Sequence, residues 1–168
     1  MTRRLLGIAG QVVAFAVFCA FIGYFSNRPA YSHRSPDAAQ ITVAFAHSGA
    51  PVHECRRRTP EEIAALAPNM RRPDDCPRAR VPLHFLLEVD GLTVTDRVLP
   101  PAGIADDGAA AAYARLAVPA GAHRVTARLR DSRRESGYDW ERSIDVELAP
   151  RQNFTIDFSP EVGGFIFR

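Results

Sequence analysis

The chain has no lysine: all 21 of its basic residues are arginine. With abundant alanine and 13 prolines, that reflects the coding bias of a GC-rich bacterial genome, and so speaks to source rather than function. Net charge is also nearly lacking, at +2 over 168 residues, and no basic stripe alternates with aromatics, which argues against a nucleic-acid partner. Catalytic signatures are missing too. There is no G-x-S-x-G, no H-E-x-x-H, no phosphate-cradling glycine loop and no Cys/His order that suggests a nucleophile. Asp106-Asp107-Gly108 opens like a calcium loop but lacks the downstream ligands, so it reads as a turn. The expectation is a protein that is not an enzyme and has no cofactor.

What the chain does have is one long apolar run. Leu5 to Phe25 contains no charge, and Gln11 is its only strongly polar side chain. As a helix at about 1.5 Å per residue it covers roughly 30 Å, the hydrocarbon thickness of a bilayer. Arg3 and Arg4 precede it, and Tyr24, Asn27 and Arg28 sit where interfacial anchors belong. A cleaved signal peptide is the competing reading. Its apolar region is shorter and ends in a small-x-small site, which Phe21-Ile22-Gly23-Tyr24-Phe25-Ser26 does not provide. The organisation expected is a cytoplasmic tail over 1–4, a transmembrane helix over 5–26, a polar tether over 27–40 and an extracytoplasmic domain over 41–168. Arginines near both ends of the span (Arg3 and Arg4; Arg28 and Arg34) nearly tie in setting orientation. The short basic tail and the two cysteines of the large domain favour an N-terminus inside and a domain in an oxidising compartment, at a bacterial inner membrane. Ala9, Ala16, Ala20 and Gly23 follow one another at spacings of seven, four and three, so they share a helix face. Small residues in such a stripe let a neighbouring membrane helix approach closely, so an integral-membrane partner is expected there.

Beyond the tether the hydrophobic pattern has period two, the mark of half-buried strands. Ile41, Val43 and Phe45 form one inward set; Leu83, Phe85, Leu87 and Val89 form another. Asp90-Gly91 supplies a tight hairpin turn, after which Leu92, Val94 and Val98 are expected to continue the buried face. Ala114, Leu116 and Val118 lead through Pro119-Ala120-Gly121 to Val125, Ala127 and Leu129, read as a second hairpin with Arg124, Thr126, Arg128 and Arg130 facing water. Tyr138, Trp140, Ile144, Val146 and Leu148 mark a strand expected to be central, with the indole in the core. Phe154, Ile156 and Phe158 mark the last clear strand. About seven short strands separated by turns predict an all-β, immunoglobulin-like antiparallel β-sandwich. One helical insertion interrupts it: Thr59-Pro60-Glu61-Glu62 carries an N-cap, a proline at the first helical position and a capping box, and Pro68 stops the helix.

Cys55 and Cys76 flank that insertion and are the only cysteines outside the apolar run. In an oxidising compartment they are expected to pair, closing a loop worth about 3 kcal/mol in the chain-entropy model. The alternative is a copper site drawn from His47, His53, Cys55, Met70 and Cys76, since thiolate, imidazole and thioether suit that metal. No C-x-x-C or repeated ligand spacing supports it, and His47 shares the parity of Phe45 as a hydrogen-bonded core histidine would. The same region holds Arg56, Arg57, Arg58, Arg71, Arg72, Arg78 and Arg80 beside Glu54, Glu61, Glu62, Asp74 and Asp75. This is a solvated face or a contact for anionic headgroups or an acidic protein surface.

One N-terminal helix followed by an immunoglobulin-like domain resembles the FixH-type accessory proteins of bacteria, which are associated with assembly of terminal oxidases. The likeness lies in the layout of the whole chain, with no motif matching residue by residue, so it implies a function class and transfers no site. Three classes follow: a non-catalytic accessory or assembly subunit of an inner-membrane, respiratory-type complex; a copper-handling periplasmic protein; and an envelope module that binds or senses a soluble ligand. The first is the one expected.

Overall fold

The computed structural model describes residues 2–28 and 35–168, in two compact units divided at Pro36. In the first, helix α1 (Thr2–Asn27) carries a 24-residue stretch, Arg3–Ser26, within which an 18-residue window has mean hydropathy 2.4 and no part buried. It is long and apolar enough to cross a membrane. Residues 29–34 of the expected tether, Arg34 among them, lie outside the described residues.

The second unit is a β-sandwich. Its strands are β1 (Ala38–His47), β2 (Arg56–Arg57), β3 (Asp74–Asp75), β4 (Leu83–Val89), β5 (Leu92–Leu99), β6 (Ala110–Pro119), β7 (Gly121–Arg130), β8 (Trp140–Leu148), β9 (Asn153–Ser159) and β10 (Gly164–Phe167), with helix α2 (Pro60–Ala65) between β2 and β3. Two four-stranded sheets, ordered β10-β9-β1-β6 and β5-β4-β7-β8, face each other; β2 and β3 form a separate ribbon. The sandwich begins at Ala38, before the expected boundary, because Ala38 to Gln40 already pair with Pro119 to Ala117.

Alternation places the core. Ile41, Val43, Leu83, Leu87, Val125, Ala127, Leu129 and Ile156 are fully buried, and Phe45, Phe85, Phe158 and Phe165 fill the centre. Each such aliphatic or aromatic side chain contributes about 1.5–3 kcal/mol by leaving water. Phe45 meets Phe85 edge-on with ring centroids 5.3 Å apart, and Phe158 meets Phe165 in the same way at 5.2 Å. Outside the second sheet, Arg128 bridges Glu88 (2.9 Å) and Glu141 (3.1 Å) across three strands. Thr126, expected in water, is buried beneath a hydrogen bond with Ser143 at 2.8 Å.

Four expectations need correction. Leu92, Val94 and Val98 do not continue the buried face; they are 71%, 40% and 63% exposed. The turn itself forms as read, with Asp90 and Gly91 at φ 55° and 77°. A bulge opposite Leu87/Glu88 then shifts the register: Leu87 pairs with Thr95 but Glu88 with Thr93, so Val94 has no cross-strand partner. One extra residue exchanges the faces of the strand, and Thr95, Arg97 and Leu99 become the inward set. Next, β6 and β7 are not a hairpin. At Pro119–Gly121 the chain changes sheets, β6 pairing with β1 and β7 with β4 and β8. A proline–glycine turn signals reversal but not which strand receives the chain. Third, the Trp140 strand is an edge, not the centre; its indole keeps the inward parity, half-buried against Phe158. Fourth, β10 follows the strand expected to be last, and β9 runs parallel to β1, so the sandwich is not wholly antiparallel.

The two open sides of the sandwich differ. On one, β8 and β10 adjoin: Arg142 donates from Nη1 to the Phe165 carbonyl at 2.6 Å, and a Cβ on Gly164 would stand 3.1 Å from the Trp140 ring. The other side, between β5 and β6, has no such closure. At the end where the chain enters, His123 donates to Asp90 (2.7 Å) and to the Pro119 carbonyl (2.9 Å). The Asp90 hydrogen bond raises the imidazole above its ordinary pKa, against the opposing effect of its partial burial.

The corrected parity is testable in the segment 35–168 produced alone. Ile156→Asp places an unpaired charge in the core and should abolish the cooperative melt, since several kcal/mol is a large share of a domain's stability. Val98→Asp, on the outer face, should shift stability by about 0.5 kcal/mol or less. A Val98→Asp protein that fails to fold would show that β5 buries the face first read from the sequence.

Candidate functional site: an arginine-rich cap at one end of the sandwich

Strand polarity gathers four connections at one end. The segment 48–82 between β1 and β4, the loop 100–109 between β5 and β6, the loop 131–139 between β7 and β8 and the short turn 160–163 between β9 and β10 all emerge opposite Ala38, where the chain enters. Loops at the ends of a sandwich are where a rigid scaffold commonly presents binding residues.

Asp131 fastens this cap to the strands. Its Oδ2 accepts from His47 Nε2 at 2.8 Å and from Trp140 Nε1 at 2.9 Å, and its carbonyl accepts from the Ala50 N–H at 2.7 Å. His47 is thus the hydrogen-bonded, half-buried histidine its parity predicted, its ring 4.8 Å from that of Phe158. Asp139 secures the same loop, accepting from the Asp131 and Ser132 N–H groups (3.0 and 3.1 Å) and the Ser132 hydroxyl. Burial pushes its pKa up, but those donors and Arg134 outweigh it and hold the carboxyl below its ordinary value. Val81 donates to Ala50 and Arg80 to Asp106, tying the segment to its neighbours. Gly49 is required there, because a Cβ would run into the Val81 carbonyl.

Beyond these anchors the cap is held by its own polar bonds. The expected capping box forms: Thr59 Oγ1 accepts from the Glu62 N–H and Glu62 accepts from the Thr59 N–H. That N–H, and then Arg56, hold the Glu62 carboxyl below its usual range. Arg56 grips both Glu62 oxygens at 2.9 and 3.0 Å, and Arg58 reaches Asp75 at 2.7 Å. Cys55 and Cys76 are joined by a disulfide across the base of this hairpin. Helix α2 buries none of its residues, so the cap adds little to the core.

The arginines divide into two groups. Arg56 and Arg58 brace the ribbon. Arg57 and Arg72 are exposed and meet no carboxylate among the described residues, and Arg78, 88% exposed, stands 3.5 Å from Asp107. Arg72 and Arg78, with Arg58, line an open hollow of about 620 Å³ that also includes Leu66, Met70 and Cys76 and the carboxylates of Asp74 and Asp75; Arg57 stands outside its lining. Exposed guanidinium groups beside apolar side chains suit an acidic surface, since the planar fork binds carboxylates in pairs of hydrogen bonds.

The copper set is not assembled. Both thiols are spent in the disulfide, so neither offers the thiolate a soft metal needs. His47 is committed to Asp131, and His53 and Met70 are exposed. Among the described residues, no group of three or more His, Cys, Asp or Glu is placed to hold a metal. The turn closes earlier than the expected Asp106-Asp107-Gly108, over Gly103–Asp106, where the Asp106 N–H donates to the Gly103 carbonyl at 3.3 Å. Ala9, Ala16, Ala20 and Gly23 lie exposed on α1. Asp131 was not legible from the sequence, because its partners, His47 and Trp140, come from strands of opposite sheets. Comparison with protein-family models, curated proteins and solved structures finds no match to this chain.

Since the cap is stapled but uncored, the disulfide and the sandwich should separate experimentally. Cys55→Ser with Cys76→Ser should leave the sandwich melt within a few degrees of the parent. Trypsin cleavage after Arg57, Arg58 and Arg71 should accelerate sharply. Unchanged cleavage would show that the disulfide does not order the cap.

Proposed function

We propose that this protein is a non-catalytic accessory or assembly subunit of a bacterial inner-membrane complex. Helix α1 anchors it with its N-terminus in the cytoplasm, and the sandwich stands in the periplasm. The observation that carries this reading is the cap. A segment that buries almost nothing is held in one shape by a disulfide, a capping box and bracing ion pairs, while Arg57 and Arg72 meet no carboxylate among the described residues. Order in a surface element that does not stabilise the core supports a role in presentation, and the charge selects an acidic face of a partner. A disulfide favours an oxidising compartment. The Ala9, Ala16, Ala20 and Gly23 stripe gives the same partner a second contact within the bilayer. The layout shared with FixH-type proteins belongs to this class.

The test is recovery of partner subunits with the full-length protein after mild detergent extraction. Arg57→Glu with Arg72→Glu should lower recovery several-fold, since opposed like charges are strongly unfavourable at an interface. Ala16→Leu with Ala20→Leu should lower it separately, while Val13→Leu with Val17→Leu should not. A parent protein extracted as a lone monomer would contradict the accessory role, and full recovery with the cap variant would remove the cap from the interface.

A further inference from the structure

The open side of the sandwich has the features of a second docking site. Between β5 and β6 a slot of about 90 Å³ reaches into the core as far as Val43 and Phe85. Its walls are small on the β6 side, where Ala112 and Ala114 face inward, and polar on the β5 side, where Thr95 and Arg97 do. The slot is smaller than the ~150 Å³ cavity that admits one benzene, so it suits one small aliphatic side chain rather than an acyl chain.

The two strands flanking the slot are both sheet edges, but only one is built to receive another strand. β5 carries the bulge at Val94, which breaks its register, a common device against edge pairing. β6 pairs with β1 over ten consecutive residues without a shift, and its other edge is free. Ala111, Ala112, Ala114 and Ala117 keep that edge uncrowded. Two arginines flank it, and among the described residues neither meets a carboxylate: Arg97 on the slot side, and Arg115 on the outer face, its guanidinium 5.4 Å from the Tyr113 ring.

We propose that the free edge of β6 takes an extended segment of a partner protein as an added strand. A small aliphatic side chain of that segment enters the slot, and a carboxylate on the same face meets Arg97. Main-chain hydrogen bonds give such a contact its affinity, and the alternate side chains give it its selectivity. Because an added strand alternates its faces, a second carboxylate on the opposite face would lie over Arg115. The slot and the hollow of the cap share no lining residue.

The probe is the fluorescently labelled peptide Thr-Val-Thr-Glu-Thr-Val-Thr, titrated by anisotropy into the full-length protein in detergent micelles. Saturable binding is expected. Replacing the glutamate with lysine, or N-methylating alternate backbone amides, should weaken binding at least about tenfold. Arg97→Glu should reverse the preference between the glutamate and lysine probes, and Ala114→Leu, which fills the slot, should weaken both. Equal binding of the methylated probe, an unchanged preference in Arg97→Glu, or no saturation at millimolar peptide would each overturn the proposal.

Discussion

Ile41 and Val43 are fully buried on a strand that is paired along both edges, antiparallel to β6 and parallel to β9. That double pairing is the constraint on which the sandwich rests. It fixes the register of both neighbours, carries Phe45 into the aromatic centre and delivers His47 to Asp131. A one-residue slip of β1 would turn the whole inward set to the outer face and remove the His47 bond together with the core. The end where the chain enters and the end that bears the cap are therefore joined by ten residues of continuous strand, about 33 Å of rigid backbone.

Much of this was legible because it is local. Period-two alternation located the cores of β1, β4, β7 and β9, Asp90-Gly91 gave its turn, and Thr59-Pro60-Glu61-Glu62 gave its capped helix. What the sequence did not reveal depends on distant pairing. The bulge that turns Val98 outward arises where β5 meets β4, and nothing within β5 announces it. Pro119-Ala120-Gly121 encodes a change of direction, but the choice between folding back on β6 and crossing to β4 is made by the sheets. β10 is short, and its Gly163-Gly164 start looks like the end of a strand rather than the beginning of one. For the site, the pairing of Cys55 with Cys76 followed from their being the only two cysteines outside the apolar run, on either side of one insertion, whereas the division of the arginines into bracing and exposed groups required the ribbon geometry.

The cap and the sandwich are ordered by different means. The sandwich is held by apolar burial, which is non-directional and tolerant of surface change. The cap is held by ion pairs, a disulfide and backbone bonds, each individually modest at an exposed site. The disulfide adds the one covalent link among these weak contacts. In the proposed role such an element displays side chains at fixed positions, and here Arg57 and Arg72 are the exposed guanidinium groups on offer, Arg72 beside the hollow that holds Leu66 and Met70.

The central claim is that this end of the domain touches a membrane-protein partner. It is tested most directly by a photo-crosslinking residue placed at Arg57 in the full-length protein within its own membrane, with Glu147 at the opposite end as the comparison position. The account predicts one dominant adduct from position 57, with a protein whose contacted surface is acidic, and none from position 147. Adducts from position 147 in place of position 57 would contradict it.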